Sequence, residues 1–138
     1  TRFNITLKQG ADLVLWALEN SKGSELFVPK IPSYKIIDVA EAISPSCEKK
    51  VIGIRPGEKI HEEMITASDS YFTFDIGNYF AILPSIHKVQ KYYLEKYGEG
   101  SKVEAGFSYN SNTNSDFLTI DQIRKLIIDN IDSDFQPV

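Results

Sequence analysis

This 138-residue chain is poor in the residues that build cysteine and histidine chemistry. It has one cysteine, Cys47, and two histidines, His61 and His87. A single cysteine cannot close an internal disulfide or form a cysteine-based metal site, and the default compartment is a reduced, cytoplasmic one. Two histidines are too few for a histidine-rich metal centre. Apolar runs are short, and none approaches the ~20 residues that a membrane span requires. Basic residues are not in excess, with 15 Lys and Arg against 19 Asp and Glu and a net charge of −4. That balance argues against a nucleic-acid partner, which needs a broad basic face, but leaves room for one local anion site. Neither a G-x-G-x-x-G fingerprint nor a P-loop occurs. The first residues also lack the pattern of a signal peptide. The chain starts at Thr1 rather than Met. A trimmed longer parent, a removed tag or an excised Met would each leave that start.

Aromatic residues are well supplied, with seven Tyr and eight Phe, so one domain of this length has enough material for a core. Such a chain buries roughly two-thirds of its unfolded surface. Alternating residues predict a short strand over Arg2–Leu7. Thr6 and Gln9 have capping-box spacing ahead of a helix over 7–20, whose apolar face would be Leu7, Ala11, Val14, Leu15 and Leu18, with Gly23 as its stop. Leu13, Trp16 and Ala17 widen that apolar arc, so this helix is where an apolar patch and self-association are expected. Glu25–Pro29 reads as a second strand, and 37–43 as a short helix with Val39, Ala40 and Ile43 inward, closed by Pro45. Val51–Ile54 reads as a third, buried strand. Residues 59–65 fit strand and helix equally poorly, whereas 71–83 reads as one or two strands around Gly77-Asn78. A helix is expected over 87–97, with Val89, Tyr92, Tyr93 and Leu94 as its sticky side, followed by an irregular stretch over 98–114. Thr119 and Gln122 frame a last capping box, with Ile120, Ile123, Leu126 and Ile127 as the buried stripe. Alternating strand and helix predicts a mixed α/β lobe whose strands supply the site from their carboxyl ends.

The segment Arg55-Pro56-Gly57-Glu58 carries the most chemical information. Pro56 fixes its own backbone and extends Arg55, and Gly57 permits a tight turn. A guanidinium and a carboxylate three residues apart on such a turn suit a phosphate and a sugar hydroxyl, respectively. Spacing alone leaves a second reading open, in which Arg55 pairs with a surface carboxylate and Pro-Gly merely turns the chain. The other candidates are weaker. His61-Glu62-Glu63 begins like a zincin helix, but the second His that motif needs is Ile65 here. Asp69, Asp75, Asp129, Asp132 and Asp134 lack calcium-loop spacing. Trp16 and the Tyr92-Tyr93 pair read as packing rather than as a stacking platform, and no nucleophile–histidine set is recognisable.

Several segments, in order, resemble one family. They are Thr1-Arg2-Phe3-Asn4-Ile5-Thr6-Leu7, Phe27-Val28-Pro29-Lys30-Ile31-Pro32-Ser33 and Gly53 through Ile65. Ala81-Ile82-Leu83-Pro84, Phe107-Ser108-Tyr109-Asn110-Ser111 and Phe117-Leu118-Thr119 continue the match. Together they resemble the carboxyl-terminal part of extended short-chain dehydrogenases/reductases, and among them the inverting UDP-N-acetylglucosamine 4,6-dehydratases. The resemblance implies the UDP-sugar-binding portion of a lyase that works for surface polysaccharide synthesis. The complete enzyme would oxidise C4, eliminate water across C5–C6 and return hydride to C6 with inversion at C5. It also implies that NADP and the catalytic residues, among them a Tyr-x-x-x-Lys pair, belong to a Rossmann half that is not in this chain. Tyr92 and Lys96 have that spacing but follow the arginine turn instead of preceding it, and are read as chance. By the resemblance Arg55 contacts the diphosphate, Glu58 the ribose hydroxyls, and Arg2 is a weaker candidate on the nucleotide side. Residues 1–84 would be the substrate-binding lobe and 85–138 an extension of the same domain. The implied partners are the UDP-sugar, the missing half and further copies in a homo-oligomer, and the chain alone would be inactive. The alternative is a stand-alone ligand- or protein-binding module without catalysis.

Overall fold

The computed structural model describes all 138 residues, which divide into two compact units interleaved along the chain. The first unit comprises Thr1–Thr6, Ile31–Glu62 and Ser111–Val138; the second comprises Leu7–Lys30 and Glu63–Asn110. Helices and strands mix throughout, as expected.

In the first unit, β1 (Arg2–Phe3) pairs antiparallel with β3 (Ser33–Tyr34), placing Arg2 opposite Tyr34 and Phe3 opposite Ser33. Ser33 is fully buried and is held from its other side by the tail. Its N–H donates to the Asp116 carbonyl at 2.8 Å, and its own carbonyl accepts from Leu118 N–H at 2.8 Å. The Asn114 side chain adds bonds to the Ile31 carbonyl (2.9 Å) and Ser33 Oγ (3.0 Å). Helices α2 (Ile36–Ile43) and α4 (Ile120–Asn130) meet at the fully buried Ala42 and at Ile123. The carbonyls of a helix's last turn lack partners within the helix. Arg124 Nε from α4 meets this need, donating to the Ala42 carbonyl at 3.1 Å. The Thr119–Gln122 capping box forms as expected, with Gln122 N–H donating to Thr119 Oγ1 (3.2 Å) and Thr119 N–H to Gln122 Oε1 (2.8 Å).

In the second unit, β2 (Leu26–Pro29), β5 (Thr73–Asp75) and β6 (Tyr79–Ile82) form an antiparallel sheet in the order β2-β6-β5. Gly77, at φ +95°, turns β5 into β6. Phe74, Ala81 and Leu83 pack with Val89 and Tyr93 of helix α3 (His87–Tyr97) to form the core. A short pair, β4 (Glu63–Ile65) with β7 (Tyr109–Asn110), settles the ambiguity at 59–65 in favour of strand for its last three residues. Helix α1 (Leu7–Asn20) turns Trp16 inward, where its ring lies 5.0 Å from Phe27 and 4.3 Å from Tyr79.

Four expectations change. The first strand is only Arg2–Phe3 rather than Arg2–Leu7. Val51–Ile54 is no strand: Val51 is 94% and Ile52 81% exposed, no other strand pairs with it, and Gly53 sits at φ +87°. The arginine turn therefore does not lie at the carboxyl end of a strand. The stripe expected to be inward on α1 faces outward, with Leu7 93%, Leu15 61% and Leu18 76% exposed. Ile43 is likewise exposed, and Ala42 takes its place as the buried contact of α2. In the two helices, and at 51–54, apolar periodicity identified a sticky surface but not the surface that would cover it.

Candidate functional site

All ten residues from Val51 to Ile60 are exposed and have no helix or strand structure. Within this run Arg55–Glu58 forms a reverse turn, closed by Glu58 N–H donating to the Arg55 carbonyl at 3.0 Å. Pro56 at the second position and Gly57 at φ +79° at the third are the type II arrangement, which favours glycine where φ is positive. The Glu58 side chain doubles the closure, its Oε2 accepting from Arg55 N–H at 3.0 Å. Glu58 is thus tied to the turn it stands on. The Arg55 guanidinium is exposed and takes part in no hydrogen bond or ion pair. The surface-carboxylate pairing weighed for it from spacing is not formed.

Arg2 reaches this turn from β1. Its Nη2 lies 4.0 Å from Glu58 Oε1 and its Nε 3.7 Å from Glu62 Oε1. Its Nη1 donates to the carbonyls of Thr1 (2.7 Å) and Ile60 (3.1 Å). At these distances and with half-exposed carboxylates, each ion pair contributes less than ~1 kcal/mol, so the shorter carbonyl bonds hold Arg2 in place. Glu62 is the more firmly fixed acid, because its Oε2 accepts from Phe3 N–H at 2.8 Å.

Two residues missed from the sequence join here. Thr1 Oγ1 is 2.8 Å from His61 Nδ1 and 2.7 Å from Ser111 Oγ. Ser111 is fully buried and clamps the Glu62 backbone from both sides: its N–H donates to the Glu62 carbonyl (2.8 Å), and its Oγ accepts from Glu62 N–H (2.9 Å). The neighbouring β4–β7 register was the only signal that could have found Ser111, and it depends on two short segments more than forty residues apart.

The remaining candidates resolve into packing. Lys96 Nζ lies 5.6 Å from the Tyr92 ring centroid and 5.0 Å from that of Tyr97. Hydrogen bonding to Tyr97, then to Tyr92, raises the Lys96 pKa, which suits an ammonium held beside two aromatic rings at the surface. Burial, then the Glu25 charge, raises the pKa of Tyr93. Burial works against ionisation of Glu25, but donors from the Lys22 and Gly23 amides and Ser21 Oγ outweigh it and hold the carboxyl below its ordinary value. Two hollows of about 490 Å³ and 500 Å³ open in the second unit, beside Tyr92 and beside Phe107, and neither is lined by Arg2, Arg55 or Glu58. No group of three or more His, Cys, Asp or Glu side chains gathers where a metal ion could be held. No helix is long and apolar enough to cross a membrane.

A family model described as "Polysaccharide biosynthesis protein" matches residues 1–84. The chain belongs to that family. Among curated relatives, it is 49% identical over 118 residues to the "UDP-N-acetylglucosamine 4,6-dehydratase (inverting)" of Campylobacter jejuni serotype O:2, covering 83% of this chain and 35% of the relative. It is 44% identical over 131 residues to the protein of the same name from serotype O:23/36, covering 92% and 39%. A "UDP-glucose 4-epimerase" of Rickettsia felis is 32% identical over 134 residues, covering 93% and 38%. A solved structure, Pen from Bacillus thuringiensis, superposes with a TM-score of 0.70 at 27% identity, over 92% of this chain and 36% of that one. The chain therefore spans between a third and two-fifths of the length of the proteins it matches.

Proposed function

We propose that this chain is the nucleotide-sugar-gripping portion of a cytoplasmic UDP-N-acetylglucosamine 4,6-dehydratase, which makes a UDP-4-keto-6-deoxy-hexosamine for surface polysaccharide. The observation that carries this reading is an unpaired Arg55 guanidinium on a turn that also holds its own carboxylate, in a chain 49% identical to a protein of that name. Arg55 takes the diphosphate, because a guanidinium offers paired donors to phosphate oxygens. Glu58 accepts from the ribose hydroxyls through Oε1, since Oε2 is engaged by the Arg55 amide. Arg2, held by the Thr1 and Ile60 carbonyls, lends positive charge on the nucleotide side beside Glu58 and Glu62.

Dehydration of this kind uses a nicotinamide cofactor, for which NADP is our assignment. No strand-to-helix glycine cluster able to take a dinucleotide pyrophosphate exists among these residues, so no redox step is assigned to them. The cofactor and the acid–base groups are assigned to the remaining length of a full enzyme. The exposed α1 stripe supports a homo-oligomer, or contact with that remaining length. The test is to incubate the full-length protein with UDP-N-acetylglucosamine, and separately with UDP-glucose, and follow the products by proton NMR. A new C6 methyl signal from UDP-N-acetylglucosamine is expected. C4 epimerisation without a methyl signal would place the protein with the epimerase relatives and overturn the reading.

A further inference from the structure

The turn that carries Arg55 and Glu58 lies in an exposed run, and its tethers gather at its carboxyl-terminal end. His61 meets Thr1 Oγ1, and Ser111 clamps both sides of the Glu62 backbone. Burial gives this chain of polar groups a direction. Ser111 is fully buried and its Oγ already accepts from Glu62 N–H, so its proton needs an acceptor, and Thr1 Oγ1 stands 2.7 Å away. Thr1 Oγ1 in turn stands 2.8 Å from His61 Nδ1, which accepts its proton when the imidazole carries its hydrogen on Nε2. Three segments far apart in sequence are joined by this line, namely Thr1 beside β1, His61 and Glu62 just after the turn, and Ser111 at the start of the tail.

We infer that His61, Thr1 and Ser111 form a positioning relay that fixes the Arg55–Glu58 turn against β1, with His61 and Ser111 as positioning residues that do not themselves touch nucleotide. The inference rests on the nucleotide reading of the turn given above. Its geometric core is independent of that reading, because the relay orients Glu62, the Glu62 carboxylate accepts from Phe3 N–H and stands 3.7 Å from Arg2 Nε, and Arg2 Nη2 lies 4.0 Å from Glu58.

Ser111→Ala removes the Glu62 acceptor and the Thr1 donor together. His61→Asn keeps an acceptor where Nδ1 stood, because the amide oxygen is the same number of bonds from the backbone, whereas His61→Gln moves it one atom further out. In the full-length protein, amide hydrogen exchange is measured without ligand at Glu58 and Glu62, alongside melting temperature and calorimetric titration with UDP. Ser111→Ala and His61→Gln are expected to speed exchange at both amides and weaken UDP about five- to tenfold, with His61→Asn near wild type. If Ser111→Ala does not fold, the Asn and Gln pair decides alone. Wild-type exchange in His61→Gln, or equal behaviour of Asn and Gln, overturns the relay. Faster exchange in His61→Gln with UDP affinity untouched by Arg55→Ala would keep the relay and sink the nucleotide reading instead.

Discussion

Arg55→Ala is the perturbation whose size follows most directly from the geometry. In the free protein the guanidinium has no partner to release, so its removal leaves no buried group unsatisfied and disturbs no neighbour. The whole effect then falls on the bound state. Losing a charge-assisted contact to phosphate costs about 1.5–3 kcal/mol, or roughly ten- to hundredfold in affinity. Arg55→Lys restores charge without the paired donors and should recover only part of the loss. Glu58 calls for two substitutions, because its carboxylate both closes the turn and faces the ligand. Glu58→Gln keeps an oxygen for the Arg55 amide and removes the charge, whereas Glu58→Ala removes both. Calorimetric titration with UDP and with pyrophosphate separates the roles. Arg55→Ala should weaken both ligands, and Glu58→Gln should weaken UDP while leaving pyrophosphate nearly unchanged. An unchanged UDP affinity in Arg55→Ala would mean that the guanidinium does not meet phosphate and would reduce the turn to chain punctuation.

Three further outcomes follow from the same structure. Gly57→Ala meets no neighbouring atom within 4 Å, so its cost is the backbone penalty of φ +79° alone, about 1–2 kcal/mol, read as a melting temperature lowered by several degrees together with weaker UDP binding. Glu25 has a depressed carboxyl pKa, so its stabilisation is present above the ordinary value of 4.5 and is lost as pH falls through the lower folded value; Glu25→Gln should flatten the acid limb of the stability profile, measured by denaturant melts from pH 6 downward. Replacing Leu15 and Leu18 on the exposed face of α1 by Lys should abolish self-association of the 138-residue chain in sedimentation velocity, and a wild-type chain that stays monomeric at high concentration would remove the interface assigned there.

Features set by local sequence were legible, and features set by long-range pairing were not. Thr119 and Gln122 are three residues apart, and their capping box formed as spacing required. The β5–β6 hairpin followed from Gly77-Asn78 between aromatic and β-branched segments. In the turn, Pro56 and Gly57 dictate a backbone that any context would leave largely intact. Val51–Ile54 failed because a β-branched run becomes a strand only beside another strand, and none pairs with it. For α1, periodicity marked Leu7, Val14, Leu15 and Leu18 as one face, yet the ring contacts of Trp16 decided which side turned inward. The engagement of Arg2 with Glu58 and Glu62 spans almost sixty residues, and that of Thr1 with Ser111 spans 110. Nothing in the composition or spacing of either partner announces such contacts.

The claim that this chain grips a nucleotide-sugar through the arginine turn is tested most directly by mapping where UDP binds. Titrating UDP and UDP-N-acetylglucosamine into the isotopically labelled protein and following each backbone amide by NMR gives the location without any assumption about turnover. The largest shifts are expected on Arg55–Glu62 and on Arg2 and Phe3 of β1, with the same residues responding to both ligands. Shifts centred instead on the hollows beside Tyr92 or Phe107, or no shifts at saturating UDP, would contradict that claim.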